Sequence, residues 1–437
     1  MDTDRSPVRI KAGAYANEDL DCPRVILKLY VATRSREVSP VSPGEGDAFV
    51  LSTLMADPNP AAVDRFWSAA TAAGTPLVEP RDDGNVLVTF LWRGEARSTR
   101  AWWNIDVPLS RLPGTDLWVG SHVFPADLRT IYYFRHHGTE TMPSGPGGAG
   151  PTHIDVANPR RLHMPADPLD PADHDCWASL LELPQAPVQP WSGVLPGVGR
   201  GELTTAMLAS AALGGEHPIT VYRPAGVPAA DLPVLVVFDG HLGQALLKAP
   251  TVLDNLIAAG RIPPVAALFV HTFTDRRDRD LTPGDPIEAF VTAELLPWAR
   301  ARFGVGSPAG HNLVTGVSRG GLVATYLGLR RPDLFTAVIA QSGSFWWPSP
   351  AEGDPCRLIR DVPRMPPGDV DFYLDVGDHE TIPGPGGAPS QLTVGRGMRD
   401  ALRAAGRPVT YREYSGGHDY ASWRGTFPAG LTACLGR

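Results

Sequence analysis

Asn312-Leu-Val-Thr-Gly-Val-Ser318-Arg-Gly-Gly-Leu-Val-Ala-Thr-Tyr-Leu-Gly-Leu-Arg330 is the stretch on which the fold turns. Asn312 to Thr315 reads as a short buried strand and Gly320–Arg330 as a helix, with Gly316-Val-Ser318-Arg-Gly320 between them. A lone G-x-S-x-G arises by chance in glycine-rich chains. Between an apolar strand and an apolar helix it reads as a strained turn that lifts the serine Oγ above a sheet, its flanking glycines removing side chains that would collide. Ser318 is therefore the candidate nucleophile. The N–H of Arg319 falls at the start of the new helix, where a free donor and the helix dipole favour a developing oxyanion.

The pattern around this turn is βα throughout. Buried strand-like runs occur at Ile219–Arg223, Val234–Asp239, Val265–Val270, Ala337–Ala340, Asp371–Val376 and Val409–Tyr414. Helical runs at Leu246–Ala259, Ile287–Phe303 and Gln391–Ala405 separate several of them, the second carrying a proline that predicts a kink. This alternation predicts a mostly parallel sheet covered by helices, with the order of strand, nucleophile and helix expected of an α/β-hydrolase.

The front half has another rhythm. A helix over Ala61–Ala73 precedes short strands at Val86–Trp92, Trp102–Val107, Leu117–Val123 and Thr130–Arg135, which predict a β-sandwich whose core takes most of the tryptophans. The Pro-rich run Leu183-Pro-Gln-Ala-Pro-Val-Gln-Pro-Trp191 is a semi-rigid spacer. The expected division is an N-terminal extension over 1–55, a β-sandwich domain over 56–190 and a catalytic domain over 191–437. With 46 glycines and 45 prolines the chain is loop-rich, and 437 residues are too many for one small binding module.

Charge and cysteines narrow the setting. Thirty-nine basic against 47 acidic residues give a net charge of −8, no footprint for nucleic acid or an anionic membrane. No apolar stretch is long enough to span a membrane, and no apolar segment near Met1 predicts a secretory signal. Cys22, Cys176, Cys356 and Cys434 are scattered, without metal-ligand spacing, and are expected to be reduced, as in the cytoplasm. No metal and no cofactor are expected.

A serine needs a base, and the base needs an acid. Of twelve histidines, His418 alone lies in a loop after the last strand, in Ser415-Gly-Gly-His-Asp-Tyr420; His379, its rival, sits inside the acid loop. The acid is expected after Asp371–Val376, with Glu380 favoured over Asp378 and Asp375 because it has the reach to cross the strand tips. A second oxyanion donor is expected from Gly240 or His241, in the loop after Val234–Asp239. Trp346 and Trp347, beyond the strand that follows the nucleophile helix, suit flat aromatic acyl groups. Arg319, Arg424 and the cluster Arg276–Arg279 offer charge for an anionic substrate.

These motifs together resemble the enterochelin (ferric-enterobactin) esterases. In the back half the resemblance rests on Val237-Phe-Asp-Gly240, Arg279-Asp-Leu281, Glu294-Leu-Leu-Pro-Trp298, Gly316–Leu322, Gln341-Ser-Gly-Ser-Phe-Trp-Trp347 and Gly416-Gly-His-Asp419 before Trp423-Arg424. In the front half it rests on Val88–Arg93, Leu112–Trp118, Asp127-Leu-Arg129 and Tyr132–Phe134. It implies a cytoplasmic serine hydrolase that opens the trilactone of a catecholate siderophore, ferric or iron-free, with iron entering only as part of the substrate. The family pattern makes Ser318 nucleophile, His418 base, and the acid a residue of Gly377–Glu380; Arg279 and Arg424 belong to its motifs. Residues 1–55 and the glycine-rich loop Pro143–Pro151 depart from that pattern. The competing readings are a general carboxylesterase or acyltransferase and a non-catalytic siderophore-binding protein.

Overall fold

The computed structural model describes residues 58–137, 150–230, 232–306 and 311–436, together with Leu54. The expected extension over 1–55, Leu54 apart, and most of the glycine-rich loop lie outside the described residues.

The front half opens on helix α1 (Pro60–Ala73), capped by Asn59, whose Oδ1 accepts from the Ala62 N–H. Nine strands follow: β1 (Leu77–Pro80), β2 (Asn85–Arg93), β3 (Thr99–Trp103), β4 (Asp106–Arg111), β5 (Leu117–Pro125), β6 (Arg129–His136), β7 (Thr152–His153), β8 (Arg161–Met164) and β9 (Cys176–Glu182). They pair antiparallel in the order β1-β2-β5-β4-β3-β6-β9-β8, with β7 on β6. Two separate sheets were expected; one continuous path is found, because β4 pairs with β3 through Asp106–Leu109 and with β5 through Ser110 and Arg111. The path folds over a shared core in which Val88 and Phe90 of β2 meet Tyr132 and Phe134 of β6. Trp102–Val107, expected as one strand, is a hairpin: Trp102 pairs with Asp106, and Asn104 stands at the tip.

The back half is an eight-stranded sheet. Its strands are β10 (Glu202–Ala209), β11 (Glu216–Arg223), β12 (Val234–Phe238), β13 (Ala266–Val270), β14 (Asn312–Val317), β15 (Phe335–Gln341), β16 (Asp371–Gly377) and β17 (Val409–Tyr414). The order is β10-β11-β13-β12-β14-β15-β16-β17. From β13 to β17 every pairing is parallel, and β10 and β11 extend the edge antiparallel. Alternate residues of β12 serve opposite cores, Val234, Val236 and Phe238 on one face and Leu235 and Val237 on the other. Burial on both faces is what makes its sequence a continuous apolar run.

Helices cover both faces: α2 (Gly240–Ala245), α3 (Ala249–Ala258), α4 (Arg277–Asp280), α5 (Asp285–Ala289), α6 (Leu296–Phe303), α7 (Arg319–Arg330), α8 (Arg357–Asp361), α9 (Gln391–Ala404) and α10 (Tyr420–Leu435). The helix expected over Leu246–Ala259 is shorter, since Lys248, with φ of 56°, interrupts it. Between α5 and α6 the turn Phe290–Leu295 widens into a π-helix, with the Leu296 N–H bonded to Val291 O. Pro297 lies just beyond and has no N–H to close the regular bond. Helix α10 has no counterpart among the helical runs bounded from the sequence, its apolar face being interrupted by Gly425, Pro428 and Gly430.

The two halves share a core. Trp102, Trp103, Ile131 and Tyr133 of the front sheet pack in one cluster with Leu235 and Val237 of β12 and Trp423, Phe427 and Leu431 of α10. Among the described residues no helix is long and apolar enough to cross a membrane. Cys356 and Cys434 are free thiols. Cys176 is disulfide-bonded, a correction to the expectation that every cysteine is reduced.

The turn from β14 into α7 leaves no room for a side chain at Gly316, where a Cβ would stand 2.3 Å from the carbonyl carbon of Gly320. Gly316→Ala is expected to lower the unfolding free energy by about 1–3 kcal/mol, the usual range for overpacking, read as a lower melting temperature. An unchanged melting temperature would show that the turn can open.

Candidate active site

Ser318 adopts φ 53° and ψ −119°, a conformation that costs a non-glycine residue of order 1–3 kcal/mol. Backbone bonds hold it there: the Ser318 N–H donates to Gln341 O at 2.9 Å, and Ser318 O accepts from Ser344 N at 2.9 Å and Leu322 N at 3.1 Å. The serine thus stands at the carboxyl end of β14, 2% exposed.

His418, in the loop between β17 and α10, faces it. Its Nε2 lies 3.0 Å from Ser318 Oγ and its Nδ1 lies 2.6 Å from Glu380 Oε2. The Glu380 side chain is 1% exposed and that of His418 17%. A buried carboxylate needs its lone pairs satisfied. The Gly377 N–H donates to Glu380 Oε1 at 2.8 Å and Ser342 Oγ–H donates to it at 2.5 Å. Trp423 Nε1–H donates in turn to Ser342 Oγ at 2.9 Å. Glu380 is thereby oriented on both oxygens.

Asp378 is engaged elsewhere. Asp378 Oδ1 accepts from His379 Nδ1 at 2.7 Å and from Gly416 N at 3.2 Å, closing the loop around His379. Asp375 is buried within β16, and burial pushes its pKa up to about 7.

Helices α2 and α7 both begin at carboxyl ends of paired parallel strands, β12 and β14. The first N–H groups of a helix have no intrahelical acceptor, and Gly240 and Arg319 begin these two helices where the two turns approach, with His241 next in α2. A Cβ on Gly320 would stand 3.2 Å from Phe238 Cβ. Asp239, at φ 53° before α2, is clamped by Arg277 through two bonds of 2.7 Å and by Thr272 Oγ–H at 2.7 Å. The ring of His241 turns away, its Nε2 bonded to Pro165 O at 3.0 Å.

Trp346 and Trp347 follow Ser344, whose Oγ is 3.2 Å from Ser318 Oγ. Trp346 is buried, 5.8 Å from the Arg319 guanidinium. Arg319 is itself buried, its Nε 3.1 Å from Asp278 Oδ1, and burial lowers its pKa against the pull of Asp278. Arg279 points to solvent and pairs with Asp280 at 2.9 Å, and Arg424 Nε donates to Gln189 Oε1 at 2.7 Å. Neither guanidinium contacts Ser318, His418 or Glu380.

One group among the described residues has its donor atoms spaced for a metal ion, Asp167, His241 and His271, within 4.8 Å of one another. Those atoms already have partners, His271 Nδ1 bonding Asp167 Oδ2 at 2.7 Å and its Nε2 bonding Thr220 Oγ at 2.9 Å. The cluster ties the loop Pro165–Asp175 to the strand ends beside α2.

The front sheet also reaches the site, which the sequence reading missed. Asn104 Oδ1 accepts from the His418 N–H at 2.9 Å, and Asn104 Nδ2 donates to Asp419 Oδ2 at 2.9 Å. Asp419 also accepts from Thr130 Oγ at 2.8 Å, Ile131 N at 3.3 Å and Ser422 N at 2.9 Å. Burial pushes its pKa up to about 6. The signal available was Trp-Trp-Asn between strands, which reads as core until the hairpin is seen.

A hydroxyl, an imidazole and a carboxylate in one hydrogen-bonded line, above the carboxyl ends of parallel strands, can carry a proton away from the hydroxyl: this is the chemistry of acyl transfer. Residues 87–192 match the family described as enterochelin esterase, N-terminal, and residues 210–434 match putative esterase. The chain is 30% identical over 413 residues to the iron(III) enterobactin esterase of Dickeya dadantii, covering 86% of this chain and 93% of that protein. It is 27% identical over 397 residues to the iron(III) salmochelin esterase of Escherichia coli, covering 84% and 92%. The crystal structure of the enterobactin esterase of Shigella flexneri, in the presence of enterobactin, shares the fold with a TM-score of 0.66 at 23% identity, covering 85% of this chain and 97% of that one. The chain belongs to the iron(III) enterobactin esterase family, hydrolases that act on esters.

An acid whose folded pKa lies above its ordinary value binds its proton more tightly folded than unfolded, so stability falls as pH rises from about 4 to about 7. Asp375 is such a group. Urea unfolding of Asp375→Asn is expected to lose less stability between about pH 5 and about pH 8 than the wild type does; an equal loss would show that Asp375 is ionised in the fold at little cost.

Proposed function

We propose that this protein is a serine esterase that hydrolyses the ester bonds of a catecholate siderophore trilactone, ferric or iron-free. The observation that carries the reading is the line Ser318–His418–Glu380 in a chain of the enterobactin esterase family. The back half then works as an α/β-hydrolase, behind a folded-over β-sandwich that ends near residue 190.

His418 Nε2 takes the Ser318 proton as Oγ bonds to the ester carbonyl carbon. The Glu380 carboxylate holds the ring through Nδ1 and stabilises the imidazolium. The oxyanion is received by the N–H groups of Arg319 and of Gly240 or His241. As the intermediate collapses, the carbon–oxygen bond to the leaving seryl oxygen breaks, and that oxygen takes the proton from His418. A water then attacks the acyl-serine by the same route, so each ester bond consumes one water and yields one carboxyl and one hydroxyl group. No cofactor takes part, and iron is carried by the substrate. Trp346 and Trp347 are the aromatic walls of this reading, supported by their place beyond Ser344. Arg279 and Arg424 contribute charge at longer range, since both are engaged by partners of their own chain. The reaction is assigned to the cytoplasm, which cell fractionation checks.

The test is a mass-spectrometric time course with ferric and iron-free enterobactin, following linear trimer, dimer and monomer. Ser318→Ala is expected to lose at least about 10³-fold in kcat. Near-wild-type turnover in Ser318→Ala overturns the mechanism; no hydrolysis by a wild type whose Ser318 reacts with a fluorophosphonate keeps the hydrolase and removes this substrate. Glu380→Gln is expected to lose activity by orders of magnitude and Asp378→Asn to stay within about tenfold of wild type, and the reverse order would move the acid to Asp378.

A further inference from the structure

The base is carried by a loop that its own half does not fully hold. Glu380 fixes the His418 ring through Nδ1, but the ring hangs from a backbone that passes through Gly416 and Gly417. Both polar groups of the His418 backbone are bound by the front sheet: its N–H donates to Asn104 Oδ1 at 2.9 Å, and its carbonyl accepts from Trp103 Nε1–H at 3.4 Å.

The chemistry at Asn104 is that of an amide and no other side chain. Its oxygen accepts from His418 N–H while its nitrogen donates to Asp419 Oδ2 and to Thr130 Oγ, at 2.9 and 2.8 Å. A carboxylate there would face Asp419 with no proton to give, and an apolar residue would leave buried partners unpaired. The fit is close: a Cβ on Gly417 would stand 2.2 Å from Asn104 Cγ. Trp103, beside it, has φ of 136°, strained for a bulky residue, and this turns the hairpin tip toward the loop.

We propose that Asn104 is a positioning residue for the reaction: without touching substrate, it holds the His418 backbone so that Nε2 meets Ser318 Oγ. The inference rests on the proposed roles of Ser318 and His418. It gives the front sheet a part in the chemistry, because the proton relay of one half is aligned by an amide of the other. Displacement of a catalytic group by about 1 Å costs about 10²-fold in rate, so the effect falls on kcat.

The test is a double-mutant cycle in the full chain, read as kcat and KM on an activated aryl ester and as the rate of fluorophosphonate labelling of Ser318. Asn104→Ala is expected to lower kcat and labelling by at least about fivefold with KM within about threefold. In a His418→Ala background it is expected to change the residual rate by less than about twofold, because a residue acting through His418 has nothing left to position. A smaller fall in kcat, a fall confined to KM, or the same loss in both backgrounds overturns the proposal. Should Asn104→Ala fail to fold, the nearly isosteric Thr130→Val, which removes a hydroxyl from the same network, goes through the same cycle with the same criteria. If His418→Ala alone keeps wild-type turnover, the reading of the site falls and this inference falls with it; if His418→Ala is inactive and the cycle is additive, only this inference falls.

Discussion

The constraint on which the site depends is the backbone of Ser318, forced to positive φ where β14 becomes α7. Nothing in the intrinsic preference of serine favours that conformation. It persists because Gln341 and Ser344, at the end of the neighbouring strand, bond both polar groups of its backbone, and because Gly316 and Gly320 let the turn close on itself. The turn is seated in a fully buried part of the molecule: every residue of α7 from Arg319 to Leu329 is buried, and so is all of β14. A turn seated in that core cannot relax without moving it.

That burial explains why the back half was legible. Strands enclosed on both faces leave continuous apolar runs, and the acyl-transfer chemistry sits where such runs end. Ser318, His418 and Glu380 could be named from position and reach. The choice between Glu380 and Asp378 was less legible, because residues two apart in a short loop differ only in what they meet. Contact separates them: the Asp378 carboxylate is taken up by His379 and Gly416, whereas Glu380 turns inward to Ser342 and His418.

The front half was harder to read for the opposite reason. Its hairpin at Trp103–Ile105 sets a single asparagine between tryptophan and isoleucine, two strand formers, with no glycine or proline to mark the turn, and Trp103 and Asn104 both bond the His418 loop. Local signal is faint in α10 too, whose Gly430 and Pro428 weaken any helical pattern. Gly430 lies where a Cβ would stand 2.7 Å from Ile339, so the helix gives up propensity to approach β15 closely. In both places the local sequence answers to a neighbour distant in the chain.

The spacing of the strands accounts for the shape of the relay. Ser318 follows β14 and Glu380 follows β16, and β15 lies between them. Two strand spacings amount to about 9–10 Å, too far for a serine to meet a carboxylate and close to what an imidazole spans with a hydrogen bond at each end, here 3.0 and 2.6 Å. The intervening strand is not idle. Its loop sends Ser344 Oγ to Ser318 and Ser342 Oγ to Glu380, so both ends of the relay are braced from the middle. Neither brace touches the imidazole. His418 is therefore held by Glu380 on its ring and by the front sheet on its backbone, and the line joins two halves of a chain that share one hydrophobic cluster.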